Sequence, residues 1–112
     1  MSQINAAFIG LGTMGYPMAG HLAEAGLSVT VYNRTASRAR QWARDYRGRT
    51  ADTPAEAAAG AAMVFVCVGN DDDLRQVTLG PDGVLKTLSE RALLVDHTTA
   101  SAAVARELDA AC

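Results

Sequence analysis

The sequence predicts an α/β fold: a single domain over residues 1–112, built as a doubly wound parallel sheet that stops after about five strands. Two observations carry this expectation. Short apolar runs alternate with helical patterns along the whole chain, the rhythm of βαβ units whose parallel strands are covered on both faces. A glycine-rich turn, Gly10-Leu11-Gly12-Thr13-Met14-Gly15, stands between the first apolar run and the first helical pattern.

The first strand is read at Ala6-Ala7-Phe8-Ile9. Met18, Leu22 and Ala25 follow at helical spacing, which predicts a helix packed on the sheet, with His21 facing outward. Pro17 falls in the first turn of that helix, where a missing N–H costs nothing. The second strand runs from Leu27 to Tyr32. In the second helix Ala39, Trp42, Ala43 and Tyr46 form the apolar face, opposite Arg38, Arg40 and Arg44.

A short polar strand is expected near Arg49-Thr50-Ala51, and Thr53-Pro54-Ala55-Glu56 starts a short helix that Gly60 stops. There the Thr53 hydroxyl caps, Pro54 suits the first helical position, and Glu56 reaches back to the cap. The fourth strand is Met63 to Val68 and the fifth Ala92-Leu93-Leu94-Val95. Between them the acidic run Asn70 to Asp73 caps a helix through Leu74 and Val77, and a last helix is expected over Ser101 to Ala111.

Composition excludes several classes. Apolar residues make up 49% of the chain, charged residues 20%, and the formal net charge is −2, so no broad polyanion or anionic membrane partner is expected. No apolar run reaches the ~20 residues that span a bilayer, and the N-terminus lacks a signal-peptide pattern, which leaves a cytoplasmic location as the expectation. Cys67 and Cys112 have no metal-ligand spacing and read as reduced thiols. No metal site is expected.

The chemistry lies in the turn. A G-x-G-x-x-G directly after a strand and before a helix is the dinucleotide-binding arrangement of Rossmann-type folds. Gly10 permits the tight turn, Gly12 lets the backbone approach a pyrophosphate, and Gly15 lets the helix pack on the strand, so that the free amides at the helix start face the phosphates, and Leu11, Thr13 and Met14 are expected among the cofactor-binding residues.

About twenty residues on, where a carboxylate would hold the ribose 2′-hydroxyl of NAD, the chain has Asn33-Arg34-Thr35 instead. Arg34 offers a charge-assisted fork to a 2′-phosphate, Thr35 a hydroxyl, and Arg38 a second cation one helical turn later. NADP is therefore the expected cofactor, with NAD as the second choice. Val68 and Gly69 end the fourth strand at the same sheet edge, and Asp96-His97-Thr98-Thr99 ends the fifth. His97 has no identifiable orienting partner or nucleophile, so no catalytic residue is assigned.

GLGTMGYPMAGHL at Gly10 to Leu22, NRT at Asn33 to Thr35 and DHTT at Asp96 to Thr99 together resemble the β-hydroxyacid dehydrogenase family, which includes 3-hydroxyisobutyrate dehydrogenases and is similar to 6-phosphogluconate dehydrogenase. The resemblance extends to imine reductases through the first two motifs. It implies pyrophosphate binding at Gly10 to Gly15 and adenosine ribose phosphate at Asn33, Arg34 and Thr35. It further implies cofactor contacts at Val68, Gly69 and Asp73, and a hydroxyl near the nicotinamide ribose at Thr99.

Such enzymes continue into an all-helical domain carrying a catalytic lysine. Lys86, the only lysine, has no such setting and reads as a surface residue. The chain is therefore expected to be the N-terminal part of an NADP-dependent enzyme acting on a small 3-hydroxyacid or semialdehyde, inactive alone, and a homo-oligomer is expected. A non-catalytic NADP-binding or regulatory module, whose uncovered strand edge would favour pairing with another chain, is the alternative, and an imine reductase fragment a further one.

Overall fold

The computed structural model describes residues 4–12, 14–68, 71–88 and 92–96. Thr13, Gly69, Asn70, His97, Thr99, Cys112 and the helix expected over Ser101 to Ala111 lie outside the described residues. The elements are β1 (Asn5–Ile9), α1 (Gly15–Glu24), β2 (Ser28–Tyr32), α2 (Ala36–Tyr46), β3 (Arg49–Thr50), α3 (Pro54–Ala58), β4 (Met63–Val66), α4 (Asp71–Leu79), a 3₁₀ turn (Val84–Lys86) and β5 (Leu93–Asp96). All five strands pair in parallel in the order β3-β2-β1-β4-β5, so the doubly wound sheet expected from the sequence is the one observed.

Alternation along each strand divides the core. Phe8, Val29 and Val31 face one side with Ala39 and Trp42 of α2; Ile9, Val64 and Val66 face the other with Ala57, Leu74, Val77 and Val84. Phe8 stacks on Phe65 of the neighbouring strand at 5.9 Å between ring centroids. Trp42 is fully buried, and a ring of that size removes on the order of 200 Å² of apolar surface from water, which anchors α2 on this face of the sheet beside α1.

Three details differ from the sequence pattern. Ala25 is the exposed C-cap of α1, because the helix stops at Glu24; Ala19 and Gly20 are the residues buried against the sheet. Glu56 reaches one residue past the Thr53 cap, accepting from the Asp52 amide at 3.3 Å, while the Glu56 amide donates to Thr53 Oγ1 at 3.1 Å. Arg40 and Arg44 are exposed as expected, but Arg38 is half-buried. One helical turn ahead of Trp42, it lies beside the start of α1 and spreads its guanidinium over the Tyr16 ring, 4.5 Å from the centroid.

No helix among the described residues is long and apolar enough to cross a membrane.

Candidate functional site

In a parallel sheet every strand-to-helix loop lies at one edge, and a crevice opens where the strand order reverses. Here that point is between β1 and β4. A cleft of about 430 Å³ runs along this edge, floored by Ile9, Gly10, Leu11 and Gly12, with Tyr32, Asn33, Arg34 and Thr35 on one side and Cys67, Val68 and Asp73 on the other.

The glycine turn is held on three sides. The Gly10 amide donates to the Tyr32 carbonyl at 2.9 Å. Asn33 Oδ1 accepts from the Leu11 amide at 2.9 Å, and its Nδ2 donates to the Thr35 carbonyl at 3.1 Å. Arg38 Nε donates to the Leu11 carbonyl. Both peptide groups of Leu11 are thus engaged, and its side chain is buried in the core. Gly10 and Leu11 are thus fixed by the protein's own hydrogen bonds, so binding has little ordering entropy to supply at these two residues.

The three glycines differ in what surrounds them. Gly10 has φ +99°, and a Cβ there would lie 2.1 Å from the Cys67 carbonyl oxygen. A Cβ on Gly15 would lie 2.2 Å from the Gly10 carbonyl oxygen and 3.1 Å from the Phe8 ring. At Gly12 a Cβ would meet nothing within 4 Å. Gly10 and Gly15 are therefore required by the protein itself, whereas the space above Gly12 opens into the cleft, as a pyrophosphate lying on the backbone requires.

Of the residues expected at the site, Gly10, Leu11, Gly12, Asn33, Arg34, Thr35, Val68 and Asp73 line the cleft. Met14 is 60% exposed at the start of α1. Arg38 lies outside the lining, turned toward Leu11 and Tyr16. Thr35 is the N-cap residue of α2 but makes no side-chain cap hydrogen bond. Arg34 donates to Asp73 across the cleft mouth.

Sequence reasoning missed the far wall, made by Asp52, Thr53 and Pro54 at the start of α3 and by Pro81 and Asp82 beyond α4. Thr53 and Pro54 were legible as a helix start. The additional signal was topological: the β3 to α3 loop is also a strand-to-helix loop, so it belongs at the same edge.

Beside the turn, Tyr16 joins α1 to α2. Its hydroxyl donates to Asp45 at 2.5 Å, its carbonyl accepts from Trp42 Nε1 at 3.2 Å, and its ring meets Tyr46 edge-on at 6.0 Å. Partial burial, reinforced by the Asp45 carboxylate, pushes the phenol up to about 12, with Arg38 pulling weakly the other way. The folded chain thus favours the neutral phenol. The associated stability is present below the ordinary tyrosine value of about 10 and is lost as pH rises through the raised one. In Tyr16→Phe the step of the phenolate absorbance titration near pH 12 is expected to disappear; its persistence would assign that step to another group.

Residues 5–112 match the family model described as the NAD binding domain of 6-phosphogluconate dehydrogenase. The chain is 62% identical over 104 residues to a Shewanella frigidimarina protein described as an uncharacterized oxidoreductase, a match covering 93% of this chain and 36% of that one. Among solved structures it is similar to 3-hydroxyisobutyrate dehydrogenase of Mycobacterium tuberculosis with L-serine. That match has a TM-score of 0.85 and 28% identity, covering 97% of this chain and 36% of the other. It is also similar to an imine reductase from Myxococcus stipitatus in complex with NADP+, with a TM-score of 0.82 and 29% identity, over 95% and 36% of the two chains. The chain spans about a third of the length of these relatives.

Proposed function

The chain belongs to the family of the NAD-binding domain of 6-phosphogluconate dehydrogenase, and from that premise we propose that it binds NADP(H) in preference to NAD(H), as the cofactor half of a cytoplasmic 3-hydroxyacid dehydrogenase. The observation that supports the preference is Arg34 at the end of β2, beside Thr35 and on the cleft wall, where an NAD-binding domain of this type would carry a carboxylate. A guanidinium fork pairs with a 2′-phosphate, and an acidic residue would repel it.

Gly10 to Gly15, with Thr13 and Met14 among them, take the pyrophosphate. Asn33 shapes the turn, Arg34 and Thr35 take the 2′-phosphate, and Arg38 supports the turn through Leu11 while adding positive charge nearby. Val68, Gly69 and Asp73 border the cofactor, and Thr99 stands near the nicotinamide ribose. The residues present fit such a ligand: the cleft has the volume of a small-molecule site and the backbone at Gly12 is open to it.

The bound nicotinamide supplies hydride transfer to the carbonyl carbon of a small semialdehyde, or accepts hydride from the matching hydroxyacid. Residues 1–112 bind and orient the cofactor, and no group among them is assigned the proton transfer. Assembly as a homo-oligomer belongs to the same reading.

Titration of the chain with NADPH and NADH, followed by nicotinamide fluorescence, tests the cofactor claim. Tighter binding of NADPH is expected, and equal binding would overturn it. The likeness to the imine reductase favours a second reading of the chemistry. In a protein of the relatives' full length, NADPH oxidation driven by semialdehydes supports the dehydrogenase, and oxidation driven by cyclic imines supports the reductase.

A further inference from the structure

Arg34 does not wait in solvent for a ligand. Its guanidinium donates to the carboxylate of Asp73, which stands 39 residues later in the chain. Arg34 comes from the β2 to α2 loop and Asp73 from the first turn of α4, so the pair links the two flanks of the switch point, and both residues line the cleft. The Arg34 side chain is 72% exposed and that of Asp73 is 23% exposed. The arginine is the member that can swing, and the carboxylate is the one held in the wall.

We propose that Asp73 is a specificity-determining residue of the cofactor site, a carboxylate that clasps Arg34 across the cleft mouth and that a 2′-phosphate must displace. The inference rests on the NADP reading above and adds a residue that works against it. A phosphate monoester carries more negative charge than a carboxylate and has three acceptor oxygens, so it takes the guanidinium from Asp73. A ribose with a free 2′-hydroxyl has no charge with which to compete and leaves the pair closed. After the exchange Asp73 remains in the wall, a like charge beside the phosphate, and lowers the selectivity that Arg34 alone would confer.

Calorimetric titration of the full chain with 2′-phospho-AMP and with AMP reads this half of the site without the nicotinamide. In Asp73→Asn, and equally in Asp73→Ser, the preference for 2′-phospho-AMP is expected to rise by up to about fivefold, the size of an exposed ion pair. Both variants keep a small polar side chain at the start of α4, so a folding defect in one leaves the other to decide. The gain should shrink when Arg34→Ala is added, to the small part that like-charge repulsion between Asp73 and the phosphate supplies, since there is then no guanidinium for the carboxylate to hold. A wild-type chain that binds the two nucleotides equally overturns the NADP reading and the clasp with it. A wild-type preference that both variants leave unchanged or reduce overturns the clasp alone.

Discussion

Replacing Arg34 by alanine is expected to weaken NADPH binding by about ten- to a hundredfold, the worth of hydrogen bonds to a charged group, while NADH binding changes by less than about threefold. The asymmetry follows from chemistry at one atom. NADPH carries a phosphate where NADH carries a hydroxyl, and Arg34 stands on the cleft wall at the end of β2. The side chain is largely exposed and its partner Asp73 is an exposed-type ion pair, so folding stability should fall by no more than about 1 kcal/mol. Thermal unfolding measured beside the fluorescence titration separates the two effects. Arg34→Lys keeps the charge and loses the planar fork, so an intermediate NADPH affinity is expected. An equal loss for both cofactors, or no loss for either, would remove Arg34 from the site.

Gly10→Ala and Gly12→Ala are expected to fail in opposite ways, although both remove a glycine of the same turn. At Gly10 an alanine must adopt φ +99° and place its Cβ 2.1 Å from the Cys67 carbonyl oxygen. That backbone cannot yield freely, because the Cys67 amide donates to the Ile9 carbonyl at 2.8 Å and so ties the end of β4 to β1. Backbone strain and overpacking together should cost about 3 to 5 kcal/mol, lowering Tm by roughly 10–20 °C in a domain of this size. At Gly12 the same methyl meets nothing, so Tm should stay within a few degrees, while NADPH and NADH both bind about tenfold or more weakly because the Cβ occupies the space a pyrophosphate needs. A Gly12→Ala chain that binds both cofactors normally would show that the open space above Gly12 is not where the phosphates lie.

Much of this was legible in the sequence because it depends on local rules. Apolar runs mark four of the five strands, and the polar, exposed two-residue edge strand at Arg49–Thr50 is marked by the helix that precedes it and the Thr53-Pro54 helix start that follows. Thr53 caps α3 and Pro54 opens it, as their side chains dictate within one turn of backbone. The spacing of Gly10, Gly12 and Gly15 between a strand and a helix likewise stated the class of ligand, since each glycine answers a steric demand within the turn.

Arg38 and Arg34 mark the limit of such reasoning. Both were legible as cations near a phosphate, yet Arg38 is spent on the Leu11 carbonyl and the Tyr16 ring, and Arg34 is held by Asp73. Nor could spacing reveal that Asn33 fastens the glycine turn 22 residues upstream, or that Asp52 and Pro81 wall the cleft. By itself, the sequence determined the strands, their helices, the doubly wound class and the phosphate turn, because hydrophobic period and glycine sterics act over a few residues. Only the tertiary structure decided which charged groups face one another and which glycine opens on the cleft. Those contacts join loops brought to one sheet edge by parallel pairing, and their distances depend on the packing of the whole domain.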